Sequence, residues 1–484
     1  MLFFIGQTCR KIKNSGSRIF FLERPHHEIP AAGSVLFLSS TYKNYAMASK
    51  AFSNPFIRHV AKRGYAQAAP AVKKDVRIQS AVLPNKTFVA ALDNDSPVTR
   101  VTIAFKAGSR YEPQTDLGVA HVLRSAAGLS TKNASSFIIA RQLSQIGASV
   151  TASGDREFVY YTLEATQDNF QAAVEMLNKI VSNQEFRPWE MSDNAPRLKY
   201  DLAALPPQVR AVDLLHRAAY RRGLGNSLYI SPKRIGKVSS ESMQHYATSN
   251  LTPSRCAITI IGDSQEKAGL VANALQLGSS GDAQDEPSKY FGGELRKEMG
   301  GDLAHVALAV QGAPAGSPQA LALAVAAKAL GNGPMTKWGA DNSPLSKAVG
   351  NVGPFAAAGF NVAYSDNGLF GVVLSVPKDE ASAAVSSVAK LMKSGSLSAE
   401  AINAGKNQLK LQVLSEAEDG TSLAESLAAQ GLYKGTARSP ADIARDIDQI
   451  NSSTVNQVLA NASKSKISMG AAGNLAFVPY VDEL

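Results

Sequence analysis

The residues best placed to do chemistry lie in the stretch Thr115 to Leu129, with His121-Val122-Leu123-Arg124-Ser125 at its centre. Two histidines at i and i+4 share one helix face and can hold a zinc ion. In the pattern H-x-x-E-H, the glutamate before the second histidine takes a proton from the metal-bound water. Here only His121 keeps its letter. Arg124 stands where the base belongs, and a cation there repels the metal and accepts no proton. Ser125 stands where the second imidazole belongs and is a poor zinc ligand. The degenerate triplet His121, Arg124, Ser125 therefore offers no catalytic, metal or cofactor site.

The elements that must position this stretch recur later in the chain. A strand over Val101 to Lys106 and a turn at Ala107-Gly108-Ser109 lead into it, and His305 to Gly312 repeats that strand 204 positions later. The capped helix start Ser239-Ser-Glu-Ser-Met-Gln-His-Tyr246 matches Asn451-Ser-Ser-Thr-Val-Asn-Gln-Val458 at an offset of 212. The strands beginning at Cys256 and Ile467 fall at a similar offset. Such a repeat precedes any fold assignment. Each half reads strand, helix, helix, strand, helix, helices, strand, which predicts two homologous α+β domains, each a mixed, mostly antiparallel sheet with helices on it.

Within the first half, Ser135-Ser136 cap a helix over Phe137 to Ile146, and Phe158 to Glu164 alternates like a half-buried strand. Asp168 is expected to cap a helix with the apolar stripe Phe170, Val174, Leu177 and Val181. Pro188 suits the first turn of the next helix, and Pro196 is expected to kink that helix. Asp-Asn-Gly at 366–368 reads as hairpin chemistry, and Gly331-Asn332-Gly333-Pro334 as a plain helix-to-loop exit. The expected boundaries are a leader at 1–65, a first domain at 76–277, a linker at 278–289 whose composition is that of a flexible segment, and a second domain at 290–484.

The leader holds the chain's basicity. Residues 1–65 carry ten basic and two acidic side chains, leaving 40 basic against 38 acidic, or +2, for the remainder. No basic stripe with interleaved aromatics is legible in that remainder, which argues against a nucleic-acid partner. From Met47 to Lys74 there is no acidic residue, and Phe52, Phe56 and Val60 recur opposite Lys50, Arg58 and Lys62. An acid-free, amphipathic, Arg-containing segment of this kind is a mitochondrial import signal. Arg63-Gly64-Tyr65-Ala66 predicts a cut after Tyr65, and Met47 reads as the natural start, with 1–46 an upstream extension. No run of apolar residues is long enough for a transmembrane helix. Cys9 and Cys256, the only cysteines, support neither a disulfide framework nor a cysteine-held metal.

Several segments carry a family resemblance. They include Phe105 to Glu112, Ser135-Ser-Phe137, Glu185 to Glu190, Asn226 to Tyr229, Ile235 to Val238, Tyr290 to Arg296 and the ending Val481-Asp-Glu-Leu484. In combination these resemble the core proteins of mitochondrial ubiquinol–cytochrome c reductase, respiratory complex III. Those proteins are relatives of the mitochondrial processing peptidases and the pitrilysin-type zinc proteases. The resemblance implies a duplicated α+β fold and a third metal ligand near Lys199-Tyr200-Asp201. His121 plus Asp201 would still fall short of the three protein ligands a catalytic zinc needs. His216, His245 and His305 have no ligand spacing and read as core or surface residues.

The resemblance further implies a structural, non-catalytic subunit without cofactors on the matrix side of the inner membrane. Its partners would be a homologous core protein 1, cytochrome b, the cytochrome c-type subunit and the Rieske iron–sulfur protein. The alternative is a non-catalytic or substrate-binding subunit of a processing peptidase.

Overall fold

The computed structural model describes residues 77–278, 286–333, 343–350 and 354–484, so the leader and its expected cleavage lie outside the described residues. The first half runs β1 (Ile78–Val82), β2 (Phe88–Leu92), β3 (Val98–Phe105), α1 (Val119–Ser125), α2 (Ser136–Gln145), β4 (Ser149–Gly154) and β5 (Val159–Thr166). It continues through α3 (Phe170–Ser182), α4 (Pro188–Asp193), α5 (Ala195–Ala203), α6 (Pro207–Tyr220), α7 (Ser240–Asn250), β6 (Cys256–Ile261) and α8 (Gln265–Ala274). The second half runs β7 (Gly293–Glu298), β8 (Leu303–Gln311), α9 (Pro318–Leu330), β9 (Asn332–Gly333), α10 (Pro344–Val349), β10 (Ala356–Ala363) and β11 (Gly368–Pro377). It closes with α11 (Ala381–Ser394), α12 (Ala399–Glu418), α13 (Gly420–Lys434), α14 (Pro440–Gln449), α15 (Ser452–Ala462) and β12 (Ser468–Gly473).

The strand orders are β1-β2-β6-β3-β5-β4 and β7-β12-β8-β11-β10-β9. Five strands correspond in order and direction, including one parallel pair in each sheet, β2–β6 and β7–β12. Register makes the repeat quantitative. Phe105 pairs with Cys256 and Ala309 with Ser468, so the same cross-strand pair recurs at the offsets 204 and 212 expected from the sequence.

Each sheet covers one face with its own helices and the other with a helix from the opposite half. Helix α6 packs on β8, β12 and β7, while α13 packs on β6, β3 and β2. Ala211, Leu215 and Ala219 of α6 share a cluster with Ala307, Ala309 and Ala472, and Ala428 of α13 shares one with Phe88, Ala104, Phe158 and Tyr160. This exchange corrects the half-buried reading of Phe158 to Glu164. Most of β5 is buried on both faces because α13 lies over the side that alternation assigns to water.

Glycines make both contacts close. A Cβ at Gly431 of α13 would sit 2.1 Å from the Phe88 ring, and one at Gly470 of β12 would sit 2.2 Å from Ala211 O of α6. Gly470→Ala should therefore cost about 1–3 kcal/mol through overpacking. Gly269→Ala, with nothing near its Cβ on α8, should be neutral or slightly stabilising. Equal urea midpoints for the two variants would contradict the exchanged-helix packing.

Other expectations shift for local reasons. The central helix covers only Val119–Ser125, because Gly118 enters it at φ 97° and Gly128 leaves the following turn at φ 87°. Asp168 lies in a short 3-10 turn and does not cap α3, although Phe170, Val174, Leu177 and Val181 form the buried stripe. Pro196 breaks the helix rather than kinking it, starting α5 within its first turn. Gly331 ends α9 as expected, but Asn332–Gly333 then pair with β10 as an edge strand. Pro334 lies outside the described residues.

A buried ionic knot joins the halves. The Arg110 guanidinium donates to Glu157 Oε1 at 2.7 Å and grips Asp366 at both oxygens, at 2.8 and 2.6 Å. Glu157 also accepts from Tyr433 OH of α13 at 2.7 Å and from Ser365 Oγ at 2.6 Å. Asp366 sits in the β10–β11 turn, so the expected hairpin also serves as a clasp. Glu286 O accepts from Arg110, and Ser288 N donates to Asp366, which pins the end of the expected flexible linker.

Candidate functional site

Glu112 organises the start of α1. Its carboxylate accepts from Gly118 N at 2.8 Å and Ala120 N at 2.9 Å, satisfying donors that the helix cannot pair internally. Burial pushes this carboxyl up to about 7, against the pull of those two bonds and of Arg124 and Arg234. The helix then presents His121, Arg124 and Ser125 towards α5 and the segment 228–230.

His121 is buried, and its ring stands edge-on to Tyr229 at 5.6 Å. Its Nδ1 accepts from Ile230 N at 3.3 Å, which places the proton on Nε2. Nε2 faces Asp201 Oδ2 at 3.9 Å, so the residue that the family resemblance singles out does reach the site. This contact is too long for a hydrogen bond, and solvent screens the partly exposed carboxylate. Burial, with Arg124 and Arg197 nearby, lowers the His121 pKa to about 4. The imidazole is neutral at physiological pH.

Arg124 donates to Leu228 O at 2.8 Å and packs along Gly154, with its charge still close enough to act on His121. Ser125 Oγ exchanges hydrogen bonds with the Asn194 amide at 2.9 and 3.2 Å, and Arg197 donates to Ser125 O. Among the described residues, no group of three His, Cys, Asp or Glu is arranged to hold a metal ion. The pocket has one imidazole and one carboxylate, with two guanidiniums beside them.

The neutral histidine has a pH consequence. Its folded value lies below the unfolded value of about 6.5, so between pH 4 and 6.5 the unfolded chain binds more protons and stability rises with pH. Acidification through that window should cost about 3 kcal/mol through His121 alone. Glu112, raised by burial, contributes with the opposite sign between about pH 4.5 and 7. Comparing urea unfolding of the unaltered chain and His121→Gln from pH 7 to pH 4 isolates the first effect. Parallel curves would contradict it.

Residues 88–231 match the insulinase family of peptidases (peptidase family M16), and residues 237–409 match the M16 inactive domain. The human cytochrome b-c1 complex subunit 2, mitochondrial, is 36% identical over 453 residues, spanning 90% of this chain and 98% of the human protein. The chain belongs to the cytochrome b-c1 complex subunit 2 family. This branch of the M16 peptidases adjoins the processing peptidases. The probable mitochondrial-processing peptidase subunit alpha-1 of Arabidopsis thaliana is 25% identical, with 84% of each chain covered. A chain of complex III2 from Candida albicans shares the fold, with a TM-score of 0.71 at 17% identity over 84% of this chain and 98% of that one.

Of the other histidines among the described residues, His216 and His305 are buried and held in hydrogen bonds. His216 Nδ1 bonds Val212 O at 2.8 Å, and its Nε2 accepts from Tyr364 OH at 2.8 Å. His305 pairs with Ser375 Oγ, and His245 is exposed on α7. Sequence reasoning missed Glu112 and Arg110 as working residues, although both lie in the Phe105–Glu112 segment that carries the resemblance. Arg110 lies in a buried segment, but its acidic partners are 47 and 256 positions away, so no local spacing reveals them.

Proposed function

We infer that this chain is a structural core subunit of the mitochondrial respiratory complex III, working among its other subunits with no catalytic centre of its own. The observation that carries this reading is α1, a peptidase-type helix whose base position holds a guanidinium and whose second imidazole is replaced by a serine bonded to Asn194. His121, Arg124 and Ser125 are on this reading the remnant of a zinc site, and no cofactor is held there. What remains useful is a large, clasped scaffold of two M16-type domains, drawn at 76–277 and 290–484 with a linker between them. The subunit stabilises the assembly, packs with a homologous core protein 1, and faces the matrix from the inner membrane. No helix among the described residues is long and apolar enough to cross a membrane, so attachment comes through partners. The acid-free segment after Met47 supports import followed by cleavage after Tyr65.

Native size separation of gently solubilised inner membranes tests this. The chain should co-migrate with cytochrome b, and the isolated material should hold no zinc through this subunit. The likeness to a processing-peptidase alpha subunit supports a second reading, which a free heterodimer able to cleave presequences would favour.

A further inference from the structure

Between Asp213 and Glu241 the sequence holds six basic residues and no acidic one. Three of them, Arg217, Arg221 and Arg222, are exposed at the C-terminal end of α6. The fold adds cations from two distant segments. Phe291 N donates to Ala219 O at 2.8 Å, laying residues 289–292 beside that helix end. Lys466 runs along Gly292, where a Cβ would stand 3.0 Å from its own Cβ. The Phe291 ring is 39% exposed, with the Arg221 guanidinium 4.7 Å and the Lys289 ammonium 5.7 Å from its centroid. Among the described residues the ion pairs near in sequence, Arg156–Asp213, Arg234–Asp116, Arg296–Glu294, Arg438–Asp446 and Lys410–Asp448, involve none of these five cations.

Arg221 is held at a conformational cost. With φ 63° and ψ −45°, and Arg222 N bonded to Tyr220 O at 2.7 Å, it is the centre of a strained, positive-φ γ-turn. A glycine would relieve the strain, and such strain persists where the surroundings impose it, often at binding surfaces. Cations at a helix C-terminus also complement its dipole. That accounts for Arg217 and leaves Lys289 and Lys466 unexplained, since neither is on the helix.

We propose that the face formed by Arg217, Arg221, Arg222, Lys289 and Lys466 around Phe291 is a docking surface for an acidic, Asp- and Glu-rich segment of a partner protein. Five cations that are in no ion pair among the described residues, on a body that carries only +2 after residue 65, produce a local field that attracts carboxylates and orients their approach. A membrane fits less well, because the single ring already packs against two cations and is not free to enter lipid. The basic face escapes a linear reading of the sequence because its residues come from three separate segments. It does not depend on the complex III reading, and its failure would leave that reading intact.

The test is binding of a fluorescent polyglutamate peptide to the full chain, by anisotropy at low and physiological salt. Arg221→Glu with Lys289→Glu should weaken binding about tenfold, whereas Lys199→Glu with Lys390→Glu, on exposed helix surfaces elsewhere, should not. The leader's basicity is common to both variants and drops out of the comparison. Arg221→Gly, which relaxes the turn, checks that loss of binding is not loss of folding. Equal binding by the two charge-reversed variants would overturn the proposal. So would single-stranded oligonucleotides or anionic phosphatidylglycerol vesicles showing a larger dependence on Arg221 and Lys289 than the peptide does.

Discussion

Arg110→Met should lower stability by about 3–5 kcal/mol, the loss expected when one partner of a buried ion pair is removed. The Arg110 side chain is 4% exposed and Glu157 1%, so water cannot replace the lost countercharge. Burial alone would lower the guanidinium pKa, but the bond to Asp366 and the charge of Glu157 outweigh it and raise the value. Without Arg110, two carboxylates face each other across the junction of the halves. Glu157 would keep Tyr433 and Ser365 as donors, which satisfies its hydrogen bonds and leaves its charge unbalanced. The loss should therefore be largely electrostatic. Arg110→Met combined with Glu157→Gln should recover more than half of it, a coupling that a double-mutant cycle in urea measures directly. A single-variant loss below about 1 kcal/mol would mean that the exchanged helices, not the ionic knot, hold the halves together.

That contrast marks what was legible in the sequence. The duplication could be read because strands β3, β6, β8 and β12 keep their register at fixed offsets, and the helix starts at Ser239 and Asn451 keep theirs. The helix exchange could not, since Ala211 and Gly470 are small residues that would suit many packings. Only the docked backbone of α6 shows why β12 is built from Met-Gly-Ala-Ala-Gly. The knot was hidden for another reason. Arg110, Glu157, Asp366 and Tyr433 are each ordinary polar letters, and their meaning lies in a four-way meeting that no periodicity encodes. The proposed degenerate zinc motif could be framed from the sequence because that chemistry depends on local i, i+4 spacing, and Arg124 and Ser125 depart from it without need of coordinates.

If only the ligands have been lost from this pocket, Arg124→Glu together with Ser125→His should restore zinc binding. Imidazoles at 121 and 125 would project from one face of α1. Asp201 Oδ2 already lies 3.9 Å from His121 Nε2. Two ligands about 2.1 Å from a tetrahedral zinc stand roughly 3.4 Å apart, so a small movement of a partly exposed carboxylate, with the His121 proton moved from Nε2 to Nδ1 at the loss of the Ile230 N bond, would complete a three-residue set. Ser125→His alone should fail, because the Arg124 guanidinium would remain beside the metal and repel it. The larger side chain must displace Asn194, at an overpacking cost of about 1–3 kcal/mol. Zinc at about 100 times its dissociation constant stabilises the folded state by about 2.7 kcal/mol, comparable with that cost. The double variant should thus bind one zinc in a chelator competition assay and unfold at higher urea when zinc is present. A folded double variant that takes up no metal would show that the pocket itself has closed. Zinc held through His121 in the unaltered chain would overturn the non-catalytic assignment from the other side.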